Sequence, residues 1–148
     1  MKTTHLKFAI IALILFACNP NGKTIPQKET EIRTVLKQQL VGWNAGYVDS
    51  FMLGYWESDS LQFITKKVVQ YGHNTVKSMY KKSYPTKAQM GNLDFEVLKI
   101  HWLDDQNTVA QVLGKWRVLE STKSNEGYFS LVFKYINGKP KIIIDHTF

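Results

Sequence analysis

From Glu29 to Ala45 the apolar residues Ile32, Val35, Leu36, Leu40 and Trp43 recur at steps of three and four, the spacing that places side chains on one face of a helix. Gln39 falls inside that stripe, a polar group where the pattern expects an apolar one. Asn44-Ala45-Gly46 ends the helix, because glycine takes up the left-handed cap conformation without a Cβ penalty. A second, short helix is expected over about Val48 to Tyr55, carrying Phe51, Met52 and Tyr55. Leu61 to Ile64 and Val68 to Tyr71 read as short strands around a Lys66-Lys67 turn. Asn74 suits the cap of a third helix through Tyr84, which Pro85 stops.

After Pro85 the period falls to two. Leu93 to Leu103, Val109 to Leu119, Tyr128 to Ile136 and Lys141 to Phe148 read as four strands. Their breaks are Asp104-Asp105-Gln106-Asn107, Ser124-Asn125-Glu126-Gly127 and the hairpin dipeptide Asn137-Gly138. Links this short make neighbouring strands antiparallel. Helices followed by a long antiparallel sheet give an α+β fold, with the sheet wrapped over the helices. Alternation assigns the faces. Ala110, Val112, Gly114, Trp116 and Val118 form the inner side of the second long strand, and Phe129, Leu131 and Phe133 that of the third. In the last strand Ile142, Ile144 and His146 share a face opposite Lys141, so His146 is expected inside and Asp145 outside, paired with a lysine. The first long strand is ambiguous, and a bulge there would switch its faces midway.

Upstream of the helical stripe, Lys2 and Lys7 precede the unbroken apolar run Phe8 to Phe16. Such a run is too short to span a bilayer, which takes about 20 residues, but it fits the core of a secretory signal. Asn19 to Lys28 is rich in Pro, Gly and Asn and has no apolar period, so residues 18–28 are expected to form a flexible tether. The domain is then 29–148. The chain has 148 residues, of which 44% are hydrophobic and 13% aromatic, enough for one domain with a real core. Cys18 is its single cysteine, which excludes an internal disulfide framework and a multi-cysteine metal site. Loss of residues 1–17 takes the formal charge from +7 to +5.

Leu15-Phe16-Ala17-Cys18 resembles a bacterial lipoprotein lipobox. The resemblance implies diacylation of Cys18 and an exported protein anchored to a membrane of the cell envelope, facing the periplasm or the cell surface. For the domain, the order of elements resembles the nuclear transport factor 2-like superfamily, a cone-shaped α+β fold that includes ketosteroid isomerases and SnoaL-like cyclases. Trp43-Asn44-Ala45-Gly46, Tyr55-Trp56-Glu57-Ser58-Asp59, Gly91-Asn92-Leu93-Asp94-Phe95, Ala110 to Trp116 and Ile144-Asp145-His146-Thr147 are similar to a SnoaL-like branch of unassigned function. What this implies is a strongly curved sheet over about three N-terminal helices, a small-molecule pocket between the first helix and the sheet, and a homodimer through the sheet. It also implies where isomerase chemistry would reside. Registered on Asn44-Ala45-Gly46, the family's donor tyrosine falls at Gln39 and its catalytic aspartate at or near Ile64, with Gln62 and Thr65 the nearby alternatives. None of these is a competent base, so that activity is not expected.

The remaining candidates are aromatic and imidazole groups. Trp43, Tyr47, Trp56, Phe63, Tyr80, Trp116 and Phe129 are a heavy ring load that either lines a pocket for a flat apolar ligand or fills a core. Gln39 offers an amide to such a ligand or sits at the edge of the stripe. His146 is either a general base, giving a lyase or isomerase, or a hydrogen-bond partner of a bound molecule. A homodimeric interaction module of the envelope is the third reading. Four scattered histidines lack metal-ligand spacing, so no metal and no cofactor are expected. The lysines at 66, 67, 77, 81, 82 and 87 come without base-reading features, so nucleic acid is not expected as a partner.

Overall fold

Thr24 caps the first helix, which starts at Ile25, four residues before the expected start at Glu29. In the computed structural model, which describes residues 22–120 and 123–148, helix α1 runs Ile25–Asn44. Thr24 and Gln27 form a capping box, side chain to backbone in both directions, and Pro26 occupies the first turn. The box satisfies backbone donors that a helix start leaves open, and proline there has no N–H to leave unpaired. The expected tether is therefore helical from Ile25 onward, and residues 1–17 and Cys18 lie outside the described residues.

Helix α2, Val48–Met52, is shorter than its apolar residues suggested. The chain turns through Leu53-Gly54, where a Cβ on Gly54 would come within 2.8 Å of the Gln39 amide carbon. Tyr55 then enters a parallel bridge with Ile142. The strands β1 (Gln62–Ile64) and β2 (Val69–Tyr71) form a hairpin, and α3 (His73–Ser83) follows. A short helix α4, Lys87–Met90, has no apolar signature and rests on a Thr86 cap.

Four long strands complete the chain: β3 (Asn92–Trp102), β4 (Val109–Leu119), β5 (Ser124–Ile136) and β6 (Lys139–Thr147). Ser124 to Gly127, expected as a break, is instead the start of β5 and pairs with Leu119 to Trp116. The turn closes between Glu120 and Lys123, whose carbonyl accepts from the Glu120 N–H at 2.9 Å. The sheet order is β2-β1-β6-β5-β4-β3, and β1 with β6 is the one parallel pair of strands among the described residues. The architecture is the expected α+β: a curved, open sheet with the helices against its inner face.

Two register shifts decide which side chains point in. In β3 the pairing skips Leu98, so Leu93, Phe95 and Val97 are inside before it and Ile100 and Trp102 after it. In β6 the pairing skips Ile143, between Ile142 opposite Phe133 and Ile144 opposite Val132. One extra residue bends a strand and inverts its alternation from that point. Past the shift, Asp145 is buried and His146 is exposed, the reverse of the expectation. Ile32, Leu36, Trp43, Val112, Phe133 and Ile142 belong to one continuous buried core between α1 and the sheet.

Candidate functional site

The C-terminal half of α1 does not close down on the sheet. Between it, α2, α3 and the inner strand faces lies a cavity of about 950 Å³, at the upper end of the range for small-molecule sites. Gln39, Trp43, Tyr55, Phe63, Leu131 and Asp145 line it with side chains that are themselves buried. Lys66, Lys67, Val68, Asn125, Glu126 and Phe148 line it with exposed ones, which places the mouth at the β1–β2 hairpin and the end of the chain. Its rings pack edge to face: Trp43 on Phe51 at 5.1 Å, Phe51 on Tyr80 at 5.2 Å, Phe63 on Tyr80 at 5.6 Å. Such contacts fix ring orientations beyond what burial alone would do.

At the floor sits one carboxyl. Asp145 is 4% exposed. The Tyr55 hydroxyl donates to its Oδ2 at 2.6 Å, and the Thr147 hydroxyl to its Oδ1 at 2.7 Å. Tyr80 faces the same pair from α3. Burial pushes the Asp145 pKa above the usual carboxylate value, against the lowering effect of the Tyr55 and Thr147 hydrogen bonds and of nearby His146. Burial likewise pushes the phenols of Tyr55 and Tyr80 well up, reinforced by the Asp145 charge. Both phenols are neutral donors at any ordinary pH. Among the described residues every ion pair lies elsewhere, so Asp145 is in none of them.

The arrangement of helices and mixed sheet is shared with solved structures. An NTF2-like protein of unknown function from Shewanella oneidensis MR-1 superposes with a TM-score of 0.77 at 31% identity, over 80% of this chain and 97% of that one. This chain belongs to the NTF2-like family. A cystatin-like domain of unknown function from Nostoc punctiforme matches with a TM-score of 0.70 at 19% identity, over 84% of this chain and 78% of that one. An NTF2-like protein of unknown function from Pseudomonas putida KT2440 matches at 0.65 and 12% identity, over 85% and 88%. These last two show the shared fold alone. No protein-family profile matches the chain, and no curated protein matches it.

Within this NTF2-like cone the expected site residues separate into two groups. Gln39, Trp43, Phe63, Tyr80, Trp116 and Phe129 all line the cavity. The Gln39 amide donates to the Phe51 carbonyl at 3.2 Å, so it ties α1 to α2 as well as facing the space. Trp43 donates to the Met90 carbonyl at 3.0 Å. The Trp116 indole N–H is buried without a partner and lies against the position a Gly127 side chain would take. Tyr47, Trp56 and His146 are not brought to the cavity. Tyr47 is 66% exposed beside α2. Trp56 points away because its neighbour Tyr55, in the bridge with Ile142, takes the inward position. His146 lies on the outer side of the β6 shift, with its ring 5.1 Å from that of Phe148. Ile64 is half-buried and off the cavity, whereas Thr65 is at its mouth.

The groups that sequence reasoning missed are Asp145 and Tyr55. Asp145 was placed on the wrong face by unbroken alternation, and Tyr55 was read as a helix residue although α2 ends at Met52. Elsewhere the polar clusters are structural. Asp104 accepts from the Thr108 and Val109 N–H groups and the Thr108 hydroxyl, which holds its pKa below the usual range and closes the β3–β4 turn. On the outer sheet face Glu96 pairs with Lys115 and Asp94 with Arg117 across the strands. Among the described residues no group of three or more His, Cys, Asp or Glu side chains is placed to hold a metal ion.

Proposed function

We propose that this protein is an exported, lipid-anchored NTF2-like domain that binds a small, mostly apolar molecule in the cavity between α1 and the sheet. The observation that carries the reading is an open space of about 950 Å³ ringed by Trp43, Phe63, Tyr80, Trp116 and Phe129. Concave, mostly apolar lining with a few polar groups is the usual character of a small-molecule site. The leader pattern ending in Ala17-Cys18 supports export and anchoring.

The neutral naphthalene dye Prodan tests the cavity directly. It should bind the wild type with a blue-shifted emission, and Trp116→Ala should weaken it about tenfold, the effect of removing a large apolar contact of roughly 1.4 kcal/mol or more. His146→Ala should leave binding unchanged, because that ring faces outward. Absence of dye binding, or equal binding by wild type and Trp116→Ala, rejects the cavity as a binding site.

A second reading, an enzyme moving a proton, is favoured by one observation. Asp145 is a buried carboxyl with a raised pKa at the floor of the cavity, the setting in which carboxyls serve as acids and bases near neutral pH. It takes over the role expected of His146.

A further inference from the structure

Asp145 is a buried acid with no ion-pair partner among the described residues. Among the described residues the groups that bind its oxygens are the neutral hydroxyls of Tyr55 and Thr147, each donating to a different oxygen. A carboxylate oxygen accepts more than one hydrogen bond. Each oxygen therefore keeps acceptor capacity, and the carboxyl lines the cavity rather than being sealed behind it. The surfaces around it are Phe63 on β1, Leu131 on β5, Tyr55 before β1 and Tyr80 on α3. Three of these four are aromatic rings, whose faces carry negative quadrupole density and attract cations.

From this geometry we infer that the molecule bound in the cavity is an apolar amine, inserted with its ammonium group toward Asp145 and its hydrocarbon body against the rings. The inference rests on the cavity being a binding site and adds the chemical class of what enters it. An ammonium donates the hydrogen bonds that Asp145 is free to accept, and a charge-assisted bond is about twice as strong as a neutral one. At the floor a carboxylate or phosphate would meet a second acidic group and, among the described residues, no cation to pair with. Burial disfavours the charged form of Asp145, and an ammonium beside it supplies the opposite charge that favours that form. Lys66 and Lys67 at the mouth repel a cation, with Glu126 beside them opposing that effect. All three are exposed, and exposed charges are screened within about 8 Å at physiological salt. Contact at the floor therefore outweighs them.

Three ligands with the same eight-carbon body separate the possibilities: octylamine, octanol and octanoate, each displacing Prodan from the whole mature domain. Octylamine should displace the dye about tenfold more tightly than octanol, with octanoate weakest. In Asp145→Asn the preference for the amine should fall to about threefold or less, while octanol binds as before. Displacement by octanol as tight as by octylamine, or tighter displacement by octanoate, overturns the amine inference and leaves the cavity reading intact. No binding of Prodan or of any of the three overturns both. The wild-type ranking decides the matter by itself, so the test survives if circular dichroism shows that Asp145→Asn does not fold.

Discussion

At the scale of single residues, Asp145 gives the protein a pH dependence of unusual sign. Its folded pKa is raised above the usual 3.8, so the native state holds a proton that the unfolded chain releases at the same pH. Its contribution to stability is then fullest below about 3.8 and falls as pH rises through the folded value. Glu31, held low chiefly by its hydrogen bond from Lys23, and Asp49, held low by Lys81, act oppositely and lose stability on acidification. Comparing wild type with Asp145→Asn isolates the one group. The stability difference, variant minus wild type, should grow as pH rises above about 4, by up to about 1.4 kcal/mol per pH unit in the steepest part. Thermal melts across that range read it, and a difference independent of pH contradicts the buried ionising carboxyl. The same residue shows where sequence reading stops. Ile142-Ile143-Ile144 is apolar at every position, so nothing in it marks which isoleucine is the extra one. Gln39, by contrast, was legible because a polar side chain interrupts an apolar stripe.

At the scale of elements, the second long strand matches its expected bounds, because turn chemistry at one end and strict alternation throughout both constrain it. Boundaries failed where a side-chain device replaced a pattern. Thr24 and Gln27 extend α1 without apolar residues, and the Ser124–Gly127 run pairs as strand although its residues favour turns. Gly114 shows how tightly the long strands meet at the cavity wall. A Cβ there would lie 2.2 Å from the Phe129 ring and 2.6 Å from the Glu96 carbonyl. Gly114→Ala should therefore cost about 1–3 kcal/mol through overpacking, measured as a lowered urea midpoint. It should also weaken Prodan binding, because the ring it displaces lines the cavity. A neutral substitution would mean that Phe129 moves freely, and the wall would not be preformed.

At the scale of the whole molecule, the cavity and the point of chain entry lie at opposite poles. Lys23 donates to the Gly138 carbonyl and Lys28 to the Gln106 and Asn107 carbonyls, so the start of α1 is fastened to the β5–β6 and β3–β4 hairpins. Its other end supplies Gln39 and Trp43 to the cavity, and Asn44 bonds to Leu93. Twenty residues of helix separate the two ends, roughly 30 Å at 1.5 Å per residue. With Cys18 acylated as proposed, the hairpin pole stands nearer the bilayer and the mouth opens away from it. Ligand would then exchange with the aqueous side rather than laterally with lipid. Acylated protein reconstituted in vesicles with rhodamine-labelled lipid can report this by energy transfer from a donor dye on an introduced cysteine. Lys139→Cys, at the hairpin pole, should transfer more strongly than Lys67→Cys, at the mouth. Equal or reversed transfer would bring the mouth to the membrane and make the bilayer itself the source of ligand, whereas protein that fails to associate with vesicles would remove the anchor.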